Sequence, residues 1–361
     1  MKSSTDKNRI RKIKAGVLAS ALLLSCLAGG FEAEAAAAET RLAVTTAAAQ
    51  TASYLAGTVT EPGCASVGGD WTVFGLARSP AGLPEGYAAS YYRRISALVR
   101  NTGEELDVSK HTENARVVLA LTAAEYDPRN VSGRNLLRPL ADFEGTVKQG
   151  INGTVFALLA LDSSDYEMPS AAPGKIQATR QAYVDRILSS RLPDGGWNLS
   201  GKGSADIDTT AMALQALARY GEREEVRAAA EGAFACLKML TPTSCESAAQ
   251  MIIAYTEWGR DPGETLLKEL LSCRNADGSF RHLKEDSEGS LMSTEQAFCA
   301  LTAAQRYYSG SSSLYRCAGD AGTAGQAAAA GQVKTAALAH AAQLTKAAGS
   351  PQIAGEERRL G

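Results

Sequence analysis

The chain has little of what metal and nucleic-acid chemistry require. Among 361 residues there are three His, and none of the seven Cys stands in a C-x-x-C pair. No Cys/His set therefore has zinc-ligand spacing, and the sequence implies neither a metal nor a cofactor. Charge of one sign is also missing, since 37 basic residues face 39 acidic ones for a net charge of −2. Duplex binding is mostly phosphate neutralisation by clustered Lys and Arg, so nucleic acid is not an expected partner. Aromatics make up only 6% of the chain, which disfavours a β-sandwich, whose strands want aromatic and β-branched side chains. There is no phosphate loop, G-x-S-x-G elbow or H-E-x-x-H helix. What remains is an apolar, Ala-rich chain suited to close helix packing.

The first 38 residues read as a secretion signal. Lys7, Arg9, Arg11, Lys12 and Lys14 form a basic segment, Ala15 to Leu27 an apolar stretch of 13 residues, and Ala33-Glu34-Ala35 a small-x-small cleavage site. Thirteen apolar residues fall short of the roughly 20 that a spanning helix needs, so no membrane span is expected. A second reading takes Leu23-Leu24-Ser25-Cys26 as a lipobox, with Cys26 acylated as a lipid anchor. Either way the expected location is secreted or at the cell surface. Export leaves Cys64, Cys236, Cys245, Cys273, Cys299 and Cys317 in an oxidising compartment, and all six are disulfide candidates. Cys236 and Cys245 in particular would staple a helix hairpin across Thr241-Pro242.

Five segments share one helical phrase: Asn114-ARVVLALTAAEYDP, Thr154-VFALLALDSSDY, Thr210-AMALQALARYGE, Ala248-AQMIIAYTEWGRDP and Thr294-EQAFCALTAAQRY. Aligned on Ala120, Ala160, Ala216, Ala254 and Ala300, they lie 40, 56, 38 and 46 residues apart. Such periods mark stacked supersecondary units. Each phrase is apolar nearly all round, as an inner helix covered on both sides should be. Amphipathic stretches between them, such as Thr179 to Arg191 and Glu222 to Leu240, would be outer helices. Two loops, LPDGGW (192–197) and NADGSF (275–280), place an Asp-Gly turn and an aromatic 13 or 14 residues before Thr210 and Thr294, and Gly68-Gly69-Asp70-Trp71 echoes them. The aromatics would plug the seams between hairpins.

These turns, each followed by a Thr- and Ala-rich inner helix, resemble the repeat of squalene cyclases and protein prenyltransferases. The phrases GGDWTVFGLARS, HTENARVVLALTAAEYDPRNV, GINGTVFALLALD and DGGWNLSGKGSADIDTTAMALQALARY look like exported bacterial proteins with that repeat, similar in architecture to the cobalamin-carrier α-domain. The resemblance implies an all-α fold, an α/α toroid of alternating inner and outer helices in about six hairpins, over residues 39–310. Residues 311–361 would be an Ala/Gly-rich low-complexity tail, and no second β-rich domain follows to clamp a ligand as in the cobalamin carriers.

The same resemblance sets Asp206-Ile207-Asp208-Thr209 beside the D-x-D-D motif of class II terpene cyclases, which would make Asp208 a proton donor supported by Asp206. The last carboxylate of the motif is Thr209 here, and an Asp just before a helix also fits a cap for free N–H groups. The expectation is therefore a non-catalytic binder of a small molecule or surface protein, with a cyclase-like enzyme and a purely structural module as alternatives. A ring of inner helices gathers their N-termini, with free N–H groups, at one mouth. Trp71, Asn152, Trp197, Asp208, Glu246, Gln250, Glu295 and Gln296 lie at or near those starts and are the candidate lining.

Overall fold

The computed structural model describes residues 36–318; residues 1–35, where most of the expected secretion signal and Cys26 fall, and residues 319–361 lie outside the described residues. The described chain is all-α. Twelve helices follow in order: α1 (36–58), α2 (Asp70–Arg78), α3 (Tyr87–Thr102), α4 (His111–Ala123), α5 (Phe143–Val147), α6 (Ile151–Asp162), α7 (Arg180–Ser189), α8 (Ile207–Leu217), α9 (Glu224–Met239), α10 (Cys245–Glu257), α11 (Glu264–Leu271) and α12 (Leu291–Ser309). Strand pairing among the described residues is limited to isolated bridges such as Arg274 with Phe280. No described helix is long and apolar enough to cross a membrane.

Local chemistry starts the helices where the repeat places them. Thr179, Asp206, Ser244 and Ser290 each turn a side-chain oxygen onto the N–H three residues on, capping α7, α8, α10 and α12. The even-numbered helices from α4 to α12 carry the repeated phrase, and like α2 they are buried over most of their surface, α6 most fully. The odd-numbered α3, α9 and α11 are amphipathic and keep one apolar stripe against the core.

Packing follows a cycle. Helix α2 packs on α4, α4 on α6, α6 on α8, α8 on α10, α10 on α12, and α12 returns to α2. Side-chain bonds show that these six run in the same direction. Near their first turns, Thr72 of α2 meets Glu295 of α12, Arg116 of α4 meets Asp70 of α2, and Ser293 of α12 meets Glu246 of α10. At the opposite ends, Thr122 of α4 meets Tyr166 after α6, and Tyr220 after α8 meets Asp162 of α6.

The Asp-Gly loops tie into this cycle through one residue type. Thr210 Oγ1 accepts the N–H of Trp197 at 2.9 Å and reaches its carbonyl at 3.1 Å, and Thr294 Oγ1 accepts the N–H of Phe280 at 2.8 Å. That contact explains the matched offset of aromatic and Thr. Gly195 and Gly278 sit at φ 99° and 94°, a region closed to most side chains, and turn the loops inward. Trp197 and Phe280 are then fully buried. Near α2 the structure departs from the loop reading: Asp70 and Trp71 already belong to the helix.

Among the described residues no disulfide joins these cysteines, and Cys64, Cys236, Cys245, Cys273 and Cys299 are free thiols, which corrects the disulfide expectation. Cys236 is half-buried on α9, whereas Cys245, its expected partner, is buried in the first turn of α10 with its sulfur toward the Ser293 carbonyl and Cys273. Cys299 is buried inside α12. The compact unit runs through Cys317, so residues 311–317 belong with the helices and not with the Ala/Gly-rich remainder.

Replacing Thr210 with Val leaves the buried Trp197 N–H without its acceptor. The variant should lose about 1–3 kcal/mol in urea unfolding, while Thr102→Val, on an exposed helix end, should stay within about 0.5 kcal/mol.

Candidate functional site

The aligned starts of the even-numbered helices collect polar side chains at one end. Two positions before the buried Thr72, Asn114, Thr154, Thr210, Ala248 and Thr294 stand Asp70, Thr112, Asn152, Asp208, Glu246 and Met292. Their fates differ. Asp70 is fully buried, takes Arg116 Nε at 2.7 Å and the Tyr91 hydroxyl at 2.6 Å, and burial still pushes its carboxyl up to about 6. Glu246 accepts from the Ser293 hydroxyl with one oxygen and pairs with His282 Nδ1 at 2.7 Å with the other. Asn152 Oδ1 and Asp208 Oδ1 are buried without a hydrogen-bond partner.

Asp208 is not the cap of α8. That role falls to Asp206, whose oxygens take the Thr209 N–H at 2.7 Å and hydroxyl at 3.0 Å, leaving neither for support of a neighbouring acid. Asp208 lies half-buried one step inside the helix, facing Ser247 of α10, and burial holds its carboxyl above the ordinary carboxylate range.

A cavity of about 70 Å³ lies between the same helices, bordered by Trp71, Phe156, Met212, Gln215, Gln250, Ile253, Glu295, Gln296, Cys299 and Tyr315. Four of the expected lining residues meet here: Trp71, Gln250, Glu295 and Gln296. Trp71 packs edge-on against Phe74 at 5.8 Å and beside Phe156 at 6.0 Å. Three glutamines form a chain across α8, α10 and α12. Gln215 Nε2 donates to Gln250 Oε1 at 2.7 Å, and Gln250 Nε2 donates to Gln296 Oε1 at 2.6 Å. Glu295 is almost wholly buried and is spent on α2, accepting from the Gly68 N–H and the Thr72 hydroxyl. Burial pushes its carboxyl up against those bonds.

The far end of the cavity is closed by residues 310–318, a segment absent from the expected site. Arg78 donates to the carbonyls of Leu314 (2.8 Å), Ser313 (2.9 Å) and Arg316 (2.6 Å), and buried Glu257 accepts from the Ser313 hydroxyl and Tyr315 N–H. Tyr315 stacks on Phe74 at 5.5 Å and, with Gln215, separates the cavity from a smaller one of about 20 Å³ at the opposite helix ends.

Trp197 does not line the site. Its ring is buried in a seam, with Nε1 donating to the Ile187 carbonyl at 2.7 Å. Asn152, Asp208 and Glu246 stay at the helix starts and do not border the cavity. Sequence reasoning missed Gln215, Phe156, Met212 and Tyr315. Gln215 carried a signal, being the one long polar side chain within α8.

The Glu246 carboxylate raises the His282 imidazole above its ordinary value of about 6.5. A raised folded-state value means that the pair's contribution is complete below about pH 6.5 and is lost as pH rises through the folded value. The His282 ring resonance in NMR should therefore titrate above 6.5 and fall back in E246Q; an unchanged midpoint would break the assignment. The chain matches no protein-family model, no curated protein and no solved structure, so the reading of this site rests on its own geometry.

Proposed function

We propose that this chain is an exported α/α toroid that binds a small neutral ligand, without catalysis, in the cavity at the centre of the ring. Three features support the toroid: the cyclic packing of six like-directed helices, the return contact of α12 on α2, and the outer position of the amphipathic odd-numbered helices. The observation that carries the function is the cavity itself. Five inner helices contribute to it, its polar lining is an amide chain, and its far end is stopped by Tyr315. Trp71 and Gln296 are half-buried and leave access from the helix-start side. The carboxylates nearest to it are engaged, so the pocket offers neutral donors and acceptors and aromatic faces. The resemblance to exported repeat proteins supports secretion or display at the cell surface.

The test is native mass spectrometry of the chain against a library of neutral fragments of fewer than about ten heavy atoms. Binders should appear with the wild type and weaken at least tenfold in Q296W, which fills the cavity. Equal binding by both, or none by the wild type, would refute the pocket and leave the structural-module reading.

A second reading makes Asp208 the proton donor of a terpenoid-cyclase-like enzyme. It is favoured by the buried, unpartnered Oδ1 and the raised carboxyl. The cavity of about 70 Å³ is too small for a polyprenyl chain unless side chains part, since a cavity of about 150 Å³ holds a benzene. Incubation with an epoxidised polyprenol should give no cyclic product; product formed by the wild type and lost in D208N would establish the enzyme instead.

A further inference from the structure

A glutamine side chain has two N–H donors and one carbonyl oxygen, and the chain of three in this cavity uses them in one direction only. Gln215, 2% exposed, spends both donors on Gln250, one on its side-chain oxygen at 2.7 Å and one on its backbone carbonyl at 3.1 Å. Its own Oε1 receives no hydrogen bond among the described residues. Gln250 passes one donor on to Gln296, whose Oε1 is thereby filled and whose amide nitrogen has no partner. The series thus begins in an open acceptor and ends in an open donor. Tyr315, 7% exposed and bordering the cavity next to Gln215, adds a phenol with no hydrogen bond among the described residues. Gln215, Gln296 and Tyr315 all border the same cavity of about 70 Å³, where a polar group without a protein partner is open to a ligand.

We propose that this cavity takes a secondary amide, the CO–NH edge of an N-acyl group, read by the Gln215–Gln250–Gln296 chain. The inference rests on the ligand-binding reading above and supplies the chemistry of the ligand. One group must offer an N–H to Gln215 and a carbonyl to Gln296. A carboxylate has no donor and would meet the carboxylate of Glu295 in the same lining; an ammonium has no acceptor for Gln296. Trp71 and Phe156, packed on each other at 6.0 Å, give the acyl methyl one apolar wall, and about 70 Å³ has room for an acetamido group and little more. The remainder of the ligand lies toward the half-buried Trp71 and Gln296. N-acetylated sugars and N-acylated peptides share this group.

The experiment follows the Trp71 indole resonance of the whole chain by NMR, with N-methylacetamide and its ester analogue methyl acetate, which lacks the N–H. N-methylacetamide should shift it saturably, methyl acetate at least tenfold more weakly. In Q215M, checked for an unchanged unfolding midpoint, the amide should lose at least tenfold in affinity and the ester little; in Q296L, checked likewise, both should weaken, because both offer Gln296 a carbonyl. N-acetylglucosamine and an N-acetylated dipeptide amide, compared next, separate sugar from peptide. Equal binding of amide and ester would overturn the amide proposal and leave the pocket standing. If no probe, xenon included, moves the Trp71 resonance, the cavity holds only water and both readings fall.

Discussion

Six helices that run the same way bring six positive dipole ends together at one end of the molecule and six negative ends at the other. Neither end can be left uncompensated, and the distribution of charge follows from that. At the starts stand Asp70, Glu246 and Glu295, each held by a neighbouring helix or loop, and Glu113 and Asp206, held by Arg116 and Thr209 of their own helices. At the other end Arg78 and Arg306 gather carbonyls of the segment that crosses the helix ends, and Arg219 pairs with Asp165. The acidic residues at the mouth therefore belong first to the architecture. Glu295 illustrates this: it lies against the cavity, yet its oxygens serve the first turn of α2.

That assignment changes the chemistry of the centre. With the carboxylates committed to helix ends, the polar content of the cavity is carried by amides, which neither attract nor repel a charged ligand strongly and are selective for paired donors and acceptors. Asp208 is the exception among the mouth acids. Because Asp206 has taken the cap of α8, Asp208 is surplus to it; it meets Ser247 of α10, keeps Oδ1 without a partner, and does not border the cavity. Its surroundings hold a proton well but bring it to nothing that borders the pocket.

The repeat was legible because a chemical necessity recurs in it. In three of the repeats a buried Thr or Asn ties a flanking loop to its helix: Thr210 to Trp197, Thr294 to Phe280, and Asn114 to the carbonyls of Glu104 and Leu136. Such contacts are local, so their spacing shows in the chain. The glutamine chain is not local. Gln250 and Gln296 occupy equivalent positions in their phrases, but Gln215 lies three residues later in its own, and only the stagger between α8 and α10 brings it to them. Trp71 read as part of a turn because Gly68-Gly69-Asp70 mimics one, whereas Glu295 from α12 anchors that backbone and lets the helix begin at Asp70. The six cysteines looked like partners by number alone; burial on different faces separates Cys236 from Cys245.

Tyr315 was hidden for a different reason, since its segment borders an Ala/Gly-rich stretch and has no periodicity of its own. Its position is imposed from outside. One guanidinium, Arg78 in the last turn of α2, fixes three of its neighbours' carbonyls, and Glu257 at the end of α10 fixes its N–H. The floor of the cavity is therefore set by the ends of α2 and α10, the two helices that flank α12 in the cycle, and cannot shift unless they shift with it. The mouth, by contrast, is bordered by the half-buried side chains of Trp71 and Gln296. A fixed floor with an adjustable rim suits a pocket that accepts one small group at constant depth while the remainder of the ligand varies. An enzyme that must enclose a long flexible substrate and exclude water needs the reverse, a deep chamber behind a closing rim.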